Sequence, residues 1–168
     1  MPYHAEFEHW IPAPLEKVFE FFADPMNLPR IMPEWMRVRI EEIAVVAPPG
    51  SSGSHFAGAG TKLFASYRAL PFLPKRIHSE AQIVGFGLNE SFADVQTRGP
   101  FRSWHHRHEF ATEDRGGIPG TRVRDRIEYE VGLEPLGSIV NALFIVPQMR
   151  RTFAYRQRAV ERFLIFST

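Results

Sequence analysis

The sequence predicts an α+β fold: a curved, seven-stranded antiparallel sheet around a long C-terminal helix, with two short helices after the first strand. Three observations predict it. Seven segments alternate apolar and polar residues with the period of two that a strand imposes. The joints between the later segments are short and rich in Gly and Pro, which suits hairpins of a single antiparallel sheet. After about residue 135 the period switches to that of a helix with one apolar stripe. A striped helix and a sheet with one apolar face each need a partner, and each supplies the other's.

Residues 3–11 read as the first strand. Pro12 and Pro14 stop it, and Pro14 suits the first turn of a helix. Leu15, Val18, Phe19 and Phe22 recur at helical spacing as far as Ala23, and Asp24-Pro25 ends that helix. A further turn of helix is expected around 27–32. Met36, Val38 and Ile40 alternate with Arg37, Arg39 and Glu41 in a second strand over 35–46. Residues 47–60 hold four Gly, two Pro and three Ser, show no periodicity and predict a mobile loop near a pocket mouth. Strands follow at about 61–70, 76–85, 89–98, 101–112 and 121–132. Their joints carry Pro71 and Pro74, Gly85 and Gly87, Gly99-Pro100, and Gly116-Gly117 with Pro119-Gly120. A short helix fits 136–144. Pro147 fits the first turn of a longer one that runs to about Phe166, with Met149, Phe153, Val160, Phe163 and Leu164 on one stripe.

The chain has 168 residues and is most simply a single domain over 1–168. Fifteen Phe can fill a large core or line a cavity. The net charge of +1 points to neither nucleic acid nor an anionic membrane. Cysteine is absent, which excludes disulfides, thiolate nucleophiles and thiolate-bound metals. The first residues lack the apolar core of a signal peptide. The longest apolar run, 139–146, is broken by Asn141 and is far short of the roughly 20 residues of a membrane span. A cytoplasmic protein without integral membrane association is expected. Five Arg between Arg150 and Arg162 read as the solvated face of the last helix, since no aromatic residues are interleaved for base stacking. Phosphate-binding Gly loops, nucleophile elbows and nucleotide fingerprints are absent.

The chemistry is concentrated in the last two strands. Trp104, His106, His108 and Phe110 share one face, and Ser103, His105, Arg107 and Glu109 the other. Val123, Asp125, Ile127, Tyr129 and Val131 share a face opposite a wholly charged one. Period-two alternation turns both apolar faces inward, so two histidines and an aspartate are expected on the buried side. Charge matching favours Glu109 opposite Arg126 and Arg107 opposite Glu128. That register puts Asp125 across from Phe110 and diagonal to His108; a shift of two would set Arg107 against Arg126 or Arg124.

Three segments resemble the helix-grip superfamily that includes START domains, the birch-pollen allergen family and polyketide cyclases/dehydrases, often abbreviated SRPBCC. They are the opening Ile11-Pro-Ala-Pro-Leu-Glu-Lys-Val-Phe-Glu-Phe-Phe-Ala-Asp-Pro25, the string from Phe92 through Asp94, Gln96, Phe101, Trp104, His106 and His108 to Phe110, and the stretch from Gly120 through Asp125 to Tyr129. The resemblance spans the chain and is strongest for a bacterial ligand-binding subgroup. It implies a helix-grip fold and a pocket for a hydrophobic or amphipathic small molecule, such as a lipid, a quinone or a polyketide-like compound. Alternation alone leaves two choices for the strand at 89–98, and the resemblance favours Asp94 and Gln96 facing the pocket. The expected lining is then Tyr67, Asp94, Gln96, Trp104, His106, His108, Asp125 and Tyr129.

An Asp beside a His orients one tautomer and raises its basicity. Three readings of the His–Asp pair stay open: a self-satisfied structural pair, a ligand contact, or an acid–base pair in a cyclase/dehydratase-type enzyme. A filled and inert cavity in a protein–protein module is a further reading of the whole. His106 and His108, with Asp125 or Asp94, are types that zinc or iron accept. The resemblance lends a metal no support, so neither metal nor cofactor is expected.

Overall fold

The computed structural model describes residues 1–49, 56–132 and 135–165. Seven strands form one antiparallel sheet: β1 (Tyr3–Ile11), β2 (Arg39–Ala44), β3 (Lys62–Arg68), β4 (Arg76–Gly87), β5 (Ser91–Arg98), β6 (Ser103–Thr112) and β7 (Thr121–Glu130). Their order is β1-β7-β6-β5-β4-β3-β2, so the two strands first in sequence lie at opposite edges. Between them the chain forms α1 (Leu15–Ala23) and α2 (Leu28–Ile31). The C-terminal helix is continuous over 28 residues, 137 to 164: α3 (Gly137–Val140), a π-helical turn (Asn141–Ile145) and α4 (Val146–Leu164). This is the helix-grip arrangement expected from the sequence. Among the described residues no helix is long and apolar enough to cross a membrane.

Local chemistry explains the ends of these elements. Pro14 precedes α1, and Asp24 accepts a bond from the Met26 amide as the next helical turn begins. Gly116 and Gly117 both adopt positive φ in the turn beyond β6, which glycine tolerates without strain. At Gly120 a Cβ would stand 2.6 Å from the Ile11 carbonyl oxygen and from the Trp10 ring. Register shifts interrupt the β2–β3 and β4–β5 pairings, irregularities of the kind that locally bend and twist a strand. The second strand is shorter than expected, because Glu34–Met36 forms a 3₁₀ turn that buries Met36.

The core has two parts. Around Phe19 of α1 the rings of Phe56, Phe86, Phe92 and Phe110 stand edge-on. Around Phe153 of α4 lie Ile127, Tyr129 and Met149, with Phe7 of β1 stacked on the Phe153 ring at 4.1 Å. Polar ties hold the last helix in place. Lys17 Nζ donates to the Leu164 carbonyl, Gln157 Nε2 to the Glu8 carbonyl, and His9 Nε2 lies 2.9 Å from Glu161 Oε1. The central stretch of the predicted 47–60 loop, residues 50–55, lies outside the described residues. Its flanks are anchored: the amides of Ala57, Gly58 and Gly60 donate to the carbonyls of Ala23, Val46 and Ile83.

Candidate functional site

β6 and β7 alternate as the sequence predicts. Along β6, His106, His108 and Phe110 are buried while His105 and Arg107 are exposed. Along β7, Val123, Asp125, Ile127 and Tyr129 are buried. The register differs by two residues from the one that charge matching favours. Arg107 stands opposite Arg126, and Asp125 stands directly opposite His108. This register sets Asp125 beside His108 and Tyr129 beside Trp104 on the inner face. Arg126 turns to Glu6 and Glu109, each at 3.4 Å, and Arg107 to Glu109 at 3.1 Å, so the like pair is neutralised by Glu6 of β1 and by a diagonal neighbour on β6 itself.

The neighbouring strand settles the face of β5. Asp94 pairs across from His106, which puts the Phe92, Asp94, Gln96 set inward. Four ionisable side chains therefore converge under the helix. His106 Nε2 lies 2.9 Å from Asp125 Oδ1 and its Nδ1 lies 3.9 Å from Asp94 Oδ2. His108 Nδ1 approaches the same Asp125 oxygen at 2.6 Å but is poorly aligned and makes no hydrogen bond. The two imidazole centroids are 4.0 Å apart. Aromatic rings enclose them: Phe92 at 4.4 Å and Phe22 at 6.0 Å from His108, and Phe153 at 5.9 Å and Trp104 at 6.3 Å from His106. His106, His108 and Asp125 are buried, whereas the Asp94 side chain keeps 25% exposure.

This enclosure shapes the charges. Burial pushes the Asp125 carboxyl up, but the charge of His108 and the contacts of both imidazoles outweigh it and hold Asp125 well below the carboxylate range. Burial, followed by repulsion from His108, lowers His106, against the pull of Asp125 and Asp94. Burial raises Asp94, against His106, Arg156 and His105. An ionised Asp125 accepts, so the His106 proton resides on Nε2 and the Nδ1 lone pair faces Asp94. The arrangement can orient an imidazole, accept a hydrogen bond and present a carboxyl group at the rim.

The structure brings together Asp94, His106, His108 and Asp125 of the eight expected residues, with Trp104 as a wall. It does not bring the others into the cluster. Gln96 Nε2 donates to the Phe101 carbonyl and ties the turn between β5 and β6. The Tyr129 hydroxyl donates to Asn141 Oδ1 at 2.7 Å, inside the core. Tyr67 lies on β3, paired with Ile77, and makes no ring contact or hydrogen bond with the cluster among the described residues; burial pushes its hydroxyl up to about 12. Phe153 is on the stripe expected of the final helix, but sequence reasoning misses Phe22 and Phe92 as walls, because a Phe on an apolar face carries no mark of what it meets. Asn141 is visible in the sequence as the one polar residue in an apolar run, and its partner explains it.

Two concavities open elsewhere. One of about 970 Å³ lies between the turns after α2 and the end of α4, beside Trp35, Tyr155 and Phe163. One of about 390 Å³ lies on the outer face by His105, Arg107 and Glu128. None of the four clustered side chains lines either one. The candidate site is assigned to the cluster, because buried ionisable groups with shifted protonation mark chemistry more specifically than an outer groove.

The fold and the site can be set beside known proteins. TTHA0849 from Thermus thermophilus superposes with a TM-score of 0.67 at 18% identity, covering 99% of both chains. A START superfamily protein from Mycobacterium smegmatis gives 0.67 at 13% identity, over 98% of this chain and 99% of that one. Norcoclaurine synthase from Thalictrum flavum, in complex with dopamine and hydroxybenzaldehyde, gives 0.63 at 13% identity, over 100% of this chain and 89% of that one. At such identities the likeness is one of fold. Among curated proteins no significant relative is found. Residues 11–154 match the family described as polyketide cyclase / dehydrase and lipid transport, and with most of its length matched the chain belongs to that family.

Proposed function

We propose that the chain is one domain that binds a hydrophobic or amphipathic small molecule between the sheet and the C-terminal helix, with the molecule's polar end at Asp94, His106, His108 and Asp125. The observation that carries this reading is the enclosure of His106 and His108 by Phe22, Phe92, Trp104 and Phe153, with Asp125 and Asp94 in contact with the two imidazoles. Burying such groups costs several kcal/mol unless they are paired, and here one aligned hydrogen bond and ion-pair contacts at 2.6 and 3.9 Å join them. A pure packing core has no use for that cost. The family's description, which includes lipid transport, agrees with an apolar ligand. Asp94, the half-open member, marks the rim at which the polar end enters.

Titration of a hydrophobic fluorescent probe into wild type and Asp125→Asn, beside thermal melts of both, tests the reading. The variant keeps shape and loses charge. It is expected to weaken the probe by about 1–3 kcal/mol, with a smaller loss of stability. Unchanged probe affinity with a large drop in melting temperature sinks the proposal. Native mass spectrometry of freshly purified protein reports any retained molecule.

A second reading is a cyclase/dehydratase-type enzyme. Asp125 is placed to hold the His106 tautomer while His108 adjoins it, which is the arrangement general acid–base chemistry uses. One fold neighbour is a synthase. Loss of turnover in His108→Gln with probe binding intact favours this second reading.

A further inference from the structure

We infer that Asp94, His106 and His108 form a binding site for one divalent transition-metal ion of the zinc class, with Asp125 positioning the histidines. One donor atom from each of the three residues lies within 4.8 Å of the other two. Asp94 comes from β5 and the histidines from β6, on strands that pair directly, so backbone hydrogen bonds fix their spacing.

Three features point to an ion rather than to a self-satisfied cluster. The His106 Nδ1 lone pair faces Asp94 Oδ2 at 3.9 Å. That separation is too long for a hydrogen bond and close to the span of two ligands on one ion, whose bonds are each about 2.0–2.1 Å. His108 Nδ1 is buried beside Asp125 Oδ1 at 2.6 Å without the alignment of a hydrogen bond, so Asp125 holds the ring while leaving it incompletely satisfied. Asp125 does what a supporting carboxylate does at metal sites, taking the second ring N–H of a ligating histidine so that the other nitrogen is free. Arg156 sits over the Phe153 ring at 4.8 Å and makes no ion pair with Asp94 among the described residues, so it does not hold that carboxyl away from the histidines.

The donor set selects the metal. Two imidazoles and one carboxylate suit zinc, cobalt, iron or manganese rather than calcium or magnesium, which prefer oxygen alone. A tetrahedral ion needs donors roughly 3.3 Å apart, so the site must tighten on binding. Asp94 can do so, because its side chain is a quarter exposed and makes no hydrogen bond among the described residues. Three protein ligands would leave a coordination position for water or for the oxygen of a small molecule.

The test is isothermal titration of the chelator-stripped protein with Zn²⁺ and with Co²⁺, with no organic ligand present, so its failure leaves the small-molecule reading to the probe titration. Wild type is expected to take up one ion per chain and, with Co²⁺, to gain visible absorption of a four- or five-coordinate site. Asp94→Asn and His108→Gln should each weaken binding at least tenfold. Asp125→Asn should weaken it by about 10–100-fold, as loss of a supporting carboxylate does. Saturating Zn²⁺ should raise the melting temperature of wild type and not that of Asp94→Asn. If His108→Gln fails to fold, Asp94→Asn decides, since its side chain lies at the rim and changes no shape. A folded wild type that takes up neither ion overturns the inference. So does uptake that survives Asp94→Asn but disappears when exposed His4 or His105 is replaced by Ala.

Discussion

At the scale of single residues the structure separates side chains that serve the site from those that only stand near it. Tyr129 belongs to the second kind. Its face is inward, as alternation requires, but its hydroxyl is committed to Asn141 at the π-helical turn, the point where the last helix departs from α geometry. Tyr129→Phe is therefore expected to leave Asn141 Oδ1 without its donor and to cost about 1–3 kcal/mol, while probe affinity stays unchanged. Denaturant melts beside a probe titration check both halves. Tyr67 gives a second case. Burial holds its hydroxyl neutral up to about 12, whereas the unfolded chain ionises it near the ordinary value of 10.0. The folded value is the higher one, so the contribution is complete below pH 10 and is lost as the pH rises towards about 12. Wild type should lose stability across that window more steeply than Tyr67→Phe; equal slopes in urea melts above about pH 10 would contradict the assignment. Neither commitment is legible in the sequence. Alternation states which way a side chain points, but not which distant atom meets it.

At the scale of elements the sequence is more explicit, because period and turn chemistry are local. The pairing of β6 with β7 shows where local reading ends. Outer-face charge matching selects a register two residues away, since it counts only partners within the ladder. The observed pairing satisfies Arg126 from Glu6 on β1, a strand more than a hundred residues away in sequence. Both registers leave the same residues inward, which explains why alternation gives the right inner face under the wrong pairing. The C-terminal helix shows the opposite. Its stripe is plain in the sequence, and Phe153 is the residue on which it turns: buried, stacked on Phe7 and set against His106. Phe153→Ala should cost about 3–5 kcal/mol, read by denaturant melts. A variant that melts within a degree of wild type would mean that the helix does not grip the sheet through this ring.

At the scale of the whole molecule the feature to explain is how an open sheet closes around its helix. β1 and β2 are consecutive in sequence and lie at opposite edges, so the chain between them must cross the open side, and α1 and α2 make that crossing. Composition predicts that the stretch 47–60 is mobile throughout, on the strength of four Gly and three Ser. The described flanks follow a different rule. Ala57 is 2% exposed, and its amide donates to the Ala23 carbonyl at the end of α1. Gly60 donates to Ile83 of β4, and Thr61 Oγ1 accepts from the Val46 amide. Phe56 packs edge-on against Phe19 at the centre of the core. These bonds join the crossing, the far half of the sheet and the Phe19 cluster into one unit. Small, flexible residues are used here because the backbone must come close: a Cβ on Gly58 would stand 2.8 Å from the Pro48 nitrogen. Amide exchange distinguishes the two accounts. If the flanks close the fold, the amides of Ala57, Gly58 and Gly60 should exchange slowly, with protection approaching that of β3 and β4, and protection should fall in Gly58→Val, whose larger side chain forces the flanks apart. Fast exchange at all three in the native protein would mean that the crossing is held by α1 and α2 alone, and that the open side of the sheet is closed from one edge rather than from both.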